Sequence, residues 1–351
     1  MLSHWNERPL ADLLAAQGLL AVPEATFAHD GWSGATLTQL YIGADRFVLK
    51  RTSWAQDWIA RATRDHALRE GFVASGQLPL PATVVAPYLG AAADGTAVAM
   101  LMPDLSRELL VWERPDGAPT MTVETLDRVL RAVADLHAAP IAGATGEARD
   151  ERNPAAAWPW CPIRERLLLL SPASAARFAV DGVAAGARFL DGWAAFDELA
   201  TPAARELIAR LDADPTPLLG ALEAQPAALL HGDLKMANVA PMPDGRTAFI
   251  DWQMAMVAPV AVDLGWLLVS NTSALPLGPG DVLELYRSVA PDAAAEWAVT
   301  RDLTMIVGLL LRGWRKGLDA RAGTRLGSDI DALDDLAWWC TAAVEAADRR
   351  L

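Results

Sequence analysis

The chain has 351 residues, of which 52% are hydrophobic, and a formal net charge of −14. This length and apolar content provide a large core and favour two or three compact units. The negative charge disfavours nucleic acid and anionic membranes as partners, because both present phosphate groups that it repels. It would attract cationic ligands, although a general acidic bias for solubility is the simpler explanation.

The cysteines and the apolar runs indicate the cellular compartment of the protein. Cys161 and Cys340 are the only cysteines, and they lack metal-ligand spacing, which argues against a disulfide framework or a zinc site. Glu7 and Asp12 interrupt the N-terminal stretch where a signal peptide needs an apolar core. The sequence also lacks the run of about 18 apolar residues that spans a bilayer. We therefore expect a soluble, cytoplasmic protein.

The first 105 residues predict a small mixed α/β unit. Residues 1–20 have the pattern of a short amphipathic helix, and residues 55–75 predict a second helix that ends near Gly76. Four segments are typical of strands: 37–42, 47–50, 81–90 and 96–102. Glycines and the Gly-Ala-Asp turn at 43–45 separate the first two of these strands.

The remainder predicts a mainly helical unit, so the fold class is α+β. Apolar residues repeat at helical spacing from 123 to 136, with Thr120 or Thr122 as the N-cap. Residues 140–162 are rich in Ala, Pro and Trp and predict a loop, and helical patterns then continue to about 224. Short apolar runs on either side of the Pro-Asp-Gly turn at 243–245 predict a β-hairpin, and four more helices are expected over 261–351.

The predicted hairpin carries polar side chains at its base. Asn238 precedes its first strand and Asp251 follows its second, so the hairpin brings the two side chains together. A carboxylate and an amide oxygen are hard ligands suited to Mg²⁺, which completes its shell with water and phosphate oxygens. Asp233 lies five residues before Asn238, close enough to act as a base on a group bound there. The cluster therefore predicts a bound metal ion that carries phosphate groups.

Two segments carry a resemblance to a known family. "HGDLKMAN" at 231–238 and "FIDWQ" at 249–253 resemble the catalytic loop and metal-binding segment of the aminoglycoside phosphotransferase and choline kinase superfamily, relatives of protein kinases. The resemblance implies a bilobal protein-kinase-like fold. Residues 1–104 would form a small mixed α/β nucleotide-binding lobe, and 105–351 a large, mainly helical catalytic and substrate-binding lobe with a helical substrate region at 140–225.

The same resemblance implies the roles of the loop residues. Asp233 would be the catalytic base that positions the acceptor hydroxyl, and Asn238 and Asp251 would hold Mg²⁺ on the ATP phosphates. His231 would anchor the loop. Lys235 falls where protein kinases place a lysine that reaches the transferred phosphate, although that position varies among small-molecule kinases, so its catalytic role is an open alternative.

Nucleotide-binding residues are also implied by the resemblance. Ser33 and Gly34 lie in "GWSGATLT" at 31–38, the expected loop over the nucleotide. Lys50 ends a predicted strand and would bind phosphate, paired with Glu70. Asp65 is an alternative partner for Lys50.

Two further segments fit the family pattern. Leu101 and Met102 lie in "AMLMPDLS" at 99–106, which resembles the hinge whose backbone amides hold adenine. Asp263, in "APVAVDLGWLL" at 258–268, is expected to bond backbone in the catalytic region.

The activity implied is Mg²⁺-dependent transfer of the ATP γ-phosphate to a hydroxyl of a small molecule. A non-catalytic, nucleotide-binding pseudokinase is one alternative. A protein kinase is another, but no Ala-Pro-Glu element follows Asp251, and Trp252 stands where protein kinases have phenylalanine.

The acceptor is open among hydroxylated amines, polyols, sugars and lipophilic alcohols. The chain resembles the aminoglycoside branch, which holds cationic substrates with acidic residues of its large lobe, so the acidic and aromatic residues near the final helix imply a cationic acceptor. The helix macrodipole explains the acidic residues as well. These acidic and aromatic residues are Asp329, Asp331, Asp334, Asp335, Trp338 and Trp339. Trp158 and Trp160 are further candidates for the acceptor site.

Overall fold

The computed structural model describes residues 5–27, 31–111, 121–141, 158–290, 296–326 and 330–351. Within these ranges the chain forms a small lobe around an antiparallel sheet and a large lobe of helices. The architecture is the expected α+β, bilobal, protein-kinase-like fold. The boundary after residue 104, and the limits of the substrate region, stay predictions.

The small lobe is built on a five-stranded antiparallel sheet with strand order β1-β2-β3-β6-β5. Its strands are β1 (Ala25–Thr26), β2 (Thr36–Ile42), β3 (Asp45–Thr52), β5 (Gly90–Asp94) and β6 (Ala97–Pro103). Helix α1 (Leu10–Ala16) packs Leu13 into an apolar cluster on this sheet with Leu40, Leu49 and Leu101. Strands β2 and β3 confirm the first two predicted strands.

The single helix predicted over 55–75 is wrong. The structure has two short helices instead, α2 (Trp58–Ala62), capped by Asp57, and α3 (Glu70–Ala74). Between them Arg64 and Leu68 both have φ of 54°. That left-handed conformation cannot continue a right-handed helix, so the chain turns twice before it reaches Glu70.

The strand predicted over 81–90 is also different in the structure. Only β4 (Val84–Val85) forms there, and it pairs in parallel with β9 (Thr247–Phe249), away from the small-lobe sheet. With β8 (Val239–Pro241), these strands make a three-stranded sheet of order β4-β9-β8. Through this sheet, β4, which precedes β5 and β6 in the chain, pairs with the predicted hairpin. The antiparallel pairing of β8 and β9 confirms that hairpin.

The large lobe is mainly helical, as predicted. Its helices are α4 (Val123–His137), α5 (Ile163–Leu168), α6 (Pro172–Val180), α7 (Gly186–Leu199), α8 (Pro202–Ala213), α9 (Thr216–Glu223), α10 (Ala261–Asn271), α11 (Pro279–Val289), α12 (Trp297–Arg321) and α13 (Ala332–Arg350). The last four confirm the four helices expected over 261–351. Thr122 caps α4, whereas Thr120, the other candidate, lies outside the described residues.

Two small antiparallel ladders complete the large lobe. Strand β7 (Ala228–Leu230) pairs with β10 (Met256–Ala258), and β11 (Arg325–Leu326) pairs with β12 (Ile330–Asp331). The large core gathers apolar side chains from α4, α7, α10, α12 and α13. Cys161 and Cys340 are both buried free thiols. Among the described residues no helix has the length and apolar character needed to cross a membrane.

Candidate active site

The predicted catalytic loop, residues 231–238, runs between two paired elements. It leaves β7 at His231 and enters β8 at Val239, and the chain returns through β9 to Asp251 before β10 pairs back onto β7. The amide of Ile250 donates to the carbonyl of Asn238 at 3.0 Å, which closes the hairpin at its base. The predicted approach of Asn238 and Asp251 is therefore built by local pairing.

Asp233 lies at the centre of the loop. Its Oδ2 accepts from Lys235 Nζ at 2.9 Å and from Asn238 Nδ2 at 2.9 Å. Burial opposes the charge of Lys235, but the carboxylates of Asp233 and Asp251 raise its pKa above the ordinary value. Lys235 thus stays a cation at neutral pH between the two carboxylates, with Asp251 Oδ2 3.8 Å away.

Asp251 is held in a left-handed backbone conformation, with φ of 64° and ψ of 57°. Few non-glycine residues adopt it, and such strain clusters at functional sites. Its Oδ1 accepts from Lys50 Nζ at 2.7 Å. Although burial raises its pKa, Lys50 and Lys235 outweigh that effect and lower it, so Asp251 is ionised.

Lys50 joins the two lobes electrostatically. Besides Asp251 it contacts Glu70 Oε2 at 2.7 Å, and Tyr88 donates to Glu70 Oε1 at 2.6 Å. The Tyr88 hydroxyl in turn accepts from the Asp251 amide at 3.1 Å. Burial penalises the charge of Lys50, yet the two carboxylates raise its pKa. Tyr88 was not predicted, since nothing in the sequence distinguishes it from a strand residue.

The structure pairs Lys50 with Glu70 and not with Asp65. Asp65 accepts from the amide of Arg69 at 2.9 Å and forms an ion pair with its guanidinium at 3.6 Å. Burial raises the pKa of Asp65 to about 6. Arg69 then donates to the carbonyl of Gln253 at 2.6 Å, so this second pair fastens α3 to the segment after Asp251.

Asp263 supports the catalytic loop from below, as expected. Its carboxylate accepts from the amides of His231 at 2.9 Å and Gly232 at 2.7 Å. Gly232 has φ of +81°, and a Cβ there would lie 2.1 Å from the carbonyl oxygen of Met254, so only glycine fits. Burial lowers the pKa of His231, whose Nε2 lies 3.0 Å from the Ile250 carbonyl oxygen; this agrees with a structural, uncharged histidine.

Two further residues, which no sequence pattern indicates, support the loop. Asn271 accepts from the amide of Met236 at 2.8 Å and donates to the carbonyl of Leu234 at 3.0 Å. Arg166, which is 1% exposed, donates to the carbonyl of Gly232 at 2.9 Å. All three contacts join residues at least 35 positions apart in the chain, so no local pattern could have pointed to them.

The predicted nucleotide loop lies between β1 and β2. Ser33 faces the cavity between the lobes, and its carbonyl accepts from the amide of Trp58 at 3.1 Å. Gly34 has φ of +98°, and a Cβ would lie 2.4 Å from the carbonyl oxygen of Gln56. The loop is therefore shaped by glycine and fixed against the start of α2.

Leu101 and Met102 are placed in β6, and the chain leaves the sheet only after Pro103. Leu101 is fully buried in the small-lobe core, and its carbonyl accepts from the amide of Leu89 at 2.8 Å. Their part in adenine binding stays a prediction.

A cavity of about 500 Å³ lies between the lobes. Trp32, Ser33 and Trp58 line it from the small lobe, and Asp233, Lys235 and Asp251 from the catalytic loop and hairpin. The rest of the wall comes mainly from α5, α7, α10 and α12. The structure thus gathers the predicted base, the lysine beside it, one metal ligand and the nucleotide loop around one space large enough for a small molecule.

Asp331, Asp334 and Asp335, the acidic residues near α13 that the structure describes, do not line this cavity. Asp331 caps α13 by accepting from the amide of Leu333, Asp334 is exposed, and Asp335 is buried in an ion pair with Lys316 at 2.5 Å. Asp329 lies outside the described residues.

The four tryptophans proposed for the acceptor site also lie elsewhere. Trp158 and Trp160 stack on each other with ring centroids 5.0 Å apart, and Trp158 contacts Phe72 of α3. Trp339 is fully buried and Trp338 is 42% exposed. None of the four is in the cavity wall that the structure describes.

Several solved structures are similar to this chain. A thermostable mutant of aminoglycoside phosphotransferase APH(4)-Ia, solved with ADP and hygromycin B, superposes with a TM-score of 0.51 at 15% identity, over 95% of this chain and 97% of that one. Macrolide 2'-phosphotransferase MphH from Brachybacterium faecium matches at 20% identity and a TM-score of 0.43, over 94% and 96% of the two chains. Choline kinase LicA from Streptococcus pneumoniae matches at 11% and 0.46, over 96% and 98%.

At these identities the first structure supports the fold alone. No curated protein sequence matches the chain. The sequence profile of the phosphotransferase enzyme family matches residues 24–301, a span that includes the nucleotide loop, Lys50, the catalytic loop and the hairpin. The chain belongs to the phosphotransferase enzyme family.

Proposed function

We propose that the protein transfers the γ-phosphate of ATP to a hydroxyl group of a small molecule, with Mg²⁺ as cofactor. The observation that carries this proposal is that Asp233, Lys235 and Asp251 line one interlobe cavity, while Asn238 is hydrogen-bonded to Asp233 and Lys50 is paired with Asp251. A base, two cations and two hard metal ligands are the groups that phosphoryl transfer requires, because its catalysis consists of positioning and charge stabilisation.

The donor set fits Mg²⁺. The side-chain nitrogen of Asn238 donates a hydrogen bond to Asp233, so the side-chain oxygen of Asn238 is the atom left to bind a metal. Asp251 is an ionised carboxylate at the base of the same hairpin. Mg²⁺ takes one or two protein oxygens and completes its shell with water and phosphate. Bound there, it would supply positive charge to the triphosphate. Lys50, held by Glu70, would bind phosphate oxygens beside it.

Asp233 performs the acceptor step in this proposal. It accepts a hydrogen bond from the acceptor hydroxyl and takes its proton as the oxygen attacks the γ-phosphorus. The bond between the γ-phosphorus and the bridging oxygen of ADP breaks, and the proton leaves Asp233 for solvent after the phosphate ester departs. Lys235, 2.9 Å from Asp233, places a positive charge where the transferred group passes.

Nucleotide contacts complete the proposal. Ser33 and Gly34 would cover the phosphates, and the backbone around Leu101 and Met102, at the end of β6, would hold adenine. A hydroxylated amine is one candidate acceptor that the sequence leaves open.

The test begins with nucleotide binding. Thermal unfolding with and without Mg²⁺ should show stabilisation by ATP, of about 3–4 kcal/mol at 100 to 1,000 times the dissociation constant. Absence of any shift with ATP or GTP contradicts a kinase. Asp251→Ala should weaken this binding, and Asp233→Asn should leave it intact.

Turnover then separates a kinase from a pseudokinase. A panel of hydroxylated metabolites and antibiotics is screened for ADP release above the rate without acceptor. Asp233→Asn should lower kcat on any acceptor by about 10²–10⁴-fold, because it removes the general base. Nucleotide binding without turnover on any acceptor favours the pseudokinase, and labelling of added proteins favours a protein kinase.

A further inference from the structure

Basic side chains crowd one side of the interlobe cavity. We call this the acceptor wall: the part contributed by α5, α7, α10 and α12 near Asp233. Its cations are Arg166, Arg188, Arg312, Arg315 and Lys316, of which Lys316 is paired with Asp335 outside the cavity wall. The carboxylates that line the cavity are Asp233, Asp251 and Asp319. In a chain of net charge −14, this local excess of positive charge runs against the overall composition.

The carboxylates that line the cavity are already paired. Asp233 accepts from Lys235 at 2.9 Å, Asp251 accepts from Lys50 at 2.7 Å, and both oxygens of Asp319 accept from Arg315 Nε at 2.9 Å. A cationic ligand would have to compete with these lysine and arginine partners for each carboxylate. The wall therefore offers little to a positively charged acceptor.

Three arginines of the acceptor wall lack such partners. Within the described residues, Arg166, Arg188 and Arg312 have no carboxylate at ion-pair distance. Instead the guanidinium groups of Arg166 and Arg312 lie 4.4 and 5.3 Å from the ring centroid of Trp266, and that of Arg188 lies 4.9 Å from Trp32. Aromatic faces hold these cations in place but leave their charge unneutralised.

Hydrogen-bond donors without acceptors mark the same wall. In the part of the chain that the structure describes, Arg312 Nε, Trp266 Nε1 and Trp314 Nε1 are buried and have no hydrogen-bond partner. Buried polar atoms in proteins are nearly always paired, so each exception needs an explanation. All three atoms are donors on cavity-lining residues, but each is closed off from the empty cavity, so a ligand with acceptor oxygens would satisfy them only if these side chains turn toward it.

The electrostatics of Arg312 agree with this requirement. Burial and, to a smaller extent, the positive charges of Arg315 and Arg188 lower its pKa to about 10, against the opposing effect of Asp319 and Asp233. Arg312 therefore remains charged at neutral pH. The carboxylates near it do not fully compensate the positive charges of Arg312, Arg315 and Arg188.

We propose that the acceptor is an anionic alcohol, a small molecule that carries a carboxylate or phosphate group together with the hydroxyl that receives the γ-phosphate. Arg312 and Arg188 would bind its anionic group, since a guanidinium donates two parallel hydrogen bonds to such oxygens. The ring of Trp32, which is 42% exposed, would pack against its apolar or planar part. This inference rests on the proposed function and defines its substrate class.

The test uses four probes that share one aromatic alcohol and differ in charge. They are para-(hydroxymethyl)benzoate, para-(hydroxymethyl)phenyl phosphate, para-(hydroxymethyl)benzamide and para-(hydroxymethyl)benzylamine. Binding is measured by calorimetry on the full chain saturated with Mg²⁺ and a non-hydrolysable ATP analogue, so that the nucleotide site cannot capture the anions. At least one anionic probe should bind about 10-fold or more tightly than the amide, and the amine should bind most weakly. The ratio between benzoate and phosphate tells which anion the wall prefers.

Variants locate the binding. Arg312→Gln should weaken the preferred anion by about 10- to 100-fold, the range for a lost hydrogen bond between charged groups, and should leave the amide unchanged. Arg312→Lys keeps the charge and should recover part of the affinity. Arg210→Gln removes the same charge from an exposed position on α8, away from the cavity, and should change nothing.

Several outcomes would overturn the inference. Tightest binding of the amine, equal binding of all four probes, or no binding of either anion at millimolar concentration would each do so. Anion binding that Arg312→Gln does not weaken would place the anion elsewhere. Loss of the ATP analogue in Arg312→Gln would assign Arg312 to the nucleotide site. Failure of the proposed function is a separate result, because it appears as absent nucleotide binding in the unmodified chain.

Discussion

Replacement of Lys50 by methionine tests the ion-pair network that joins the lobes. The ammonium lies 2.7 Å from both Glu70 and Asp251, and the side chain of Glu70 is only 2% exposed. Removing one partner of a buried pair costs about 3–5 kcal/mol, because the other charge stays buried without compensation. Asp251 is 30% exposed and so adds less. We expect Lys50→Met to lower the free energy of unfolding by about 3–5 kcal/mol at pH 8.

The cost should shrink as the pH falls. Burial already raises the pKa of Glu70 while Lys50 opposes that rise, so loss of Lys50 raises this pKa further. Folded Lys50→Met then binds a proton that the unfolded chain, with an ordinary glutamate pKa of about 4.3, has released. Its stability is greatest below that value and falls as the pH rises through the folded pKa, by up to about 1.4 kcal/mol per pH unit.

Urea unfolding followed by tryptophan fluorescence measures this effect between pH 5 and pH 8. The series comprises the unmodified chain, Lys50→Met, Glu70→Gln and the double variant, with exposed Glu223→Gln as the control for loss of a carboxylate. The double variant should be more stable than the sum of the single effects predicts, by about 1–3 kcal/mol. A cost of Lys50→Met that is independent of pH, together with additive single effects, would refute the network.

Further predictions concern the catalytic loop and the acidic residues near α13. Gly232→Ala should lower the free energy of unfolding by at least about 1–3 kcal/mol, measured by urea unfolding, since its φ is +81° and a Cβ would lie 2.1 Å from a carbonyl oxygen. Asp263→Ala should leave two buried loop amides unpaired and lower both stability and kcat; unchanged kcat would mean the loop keeps its shape without this support. Asn271→Ala removes two contacts to the loop backbone and should lower kcat more than the KM for ATP, in steady-state assays with the acceptor found in the screen. Asp334→Asn should leave the KM for the acceptor unchanged at low and high salt, because Asp334 does not line the cavity. A rise in this KM would instead support a cationic acceptor bound by Asp334.

The sequence by itself determined those features that depend on local spacing. The hairpin of β8 and β9 follows from two short apolar runs around a Pro-Asp-Gly turn, and it brings Asn238 and Asp251 to one end whatever the rest of the chain does. The sequence also indicated Asp263 beneath the loop and Glu70 beside Lys50. The family pattern has an aspartate that accepts from the loop backbone and a helix glutamate that pairs with the strand lysine.

Only the tertiary structure decided the remainder, because its causes lie far apart in the chain. Arg64 and Leu68 break the predicted helix through positive φ angles, which the helical periodicity does not reveal. Tyr88 reaches the site through a contact to an amide 163 residues away.

The acceptor wall is the clearest case. Acidic residues near α13 suggested a cationic ligand, yet folding buries Asp335 against Lys316 and leaves Asp334 in solvent. Meanwhile α12 presents Arg312, Arg315 and Lys316 to the cavity at helical spacing. Net charge is a sum over the whole surface, whereas a ligand meets only the few side chains that packing turns toward it, so the sign of the site can oppose the sign of the chain.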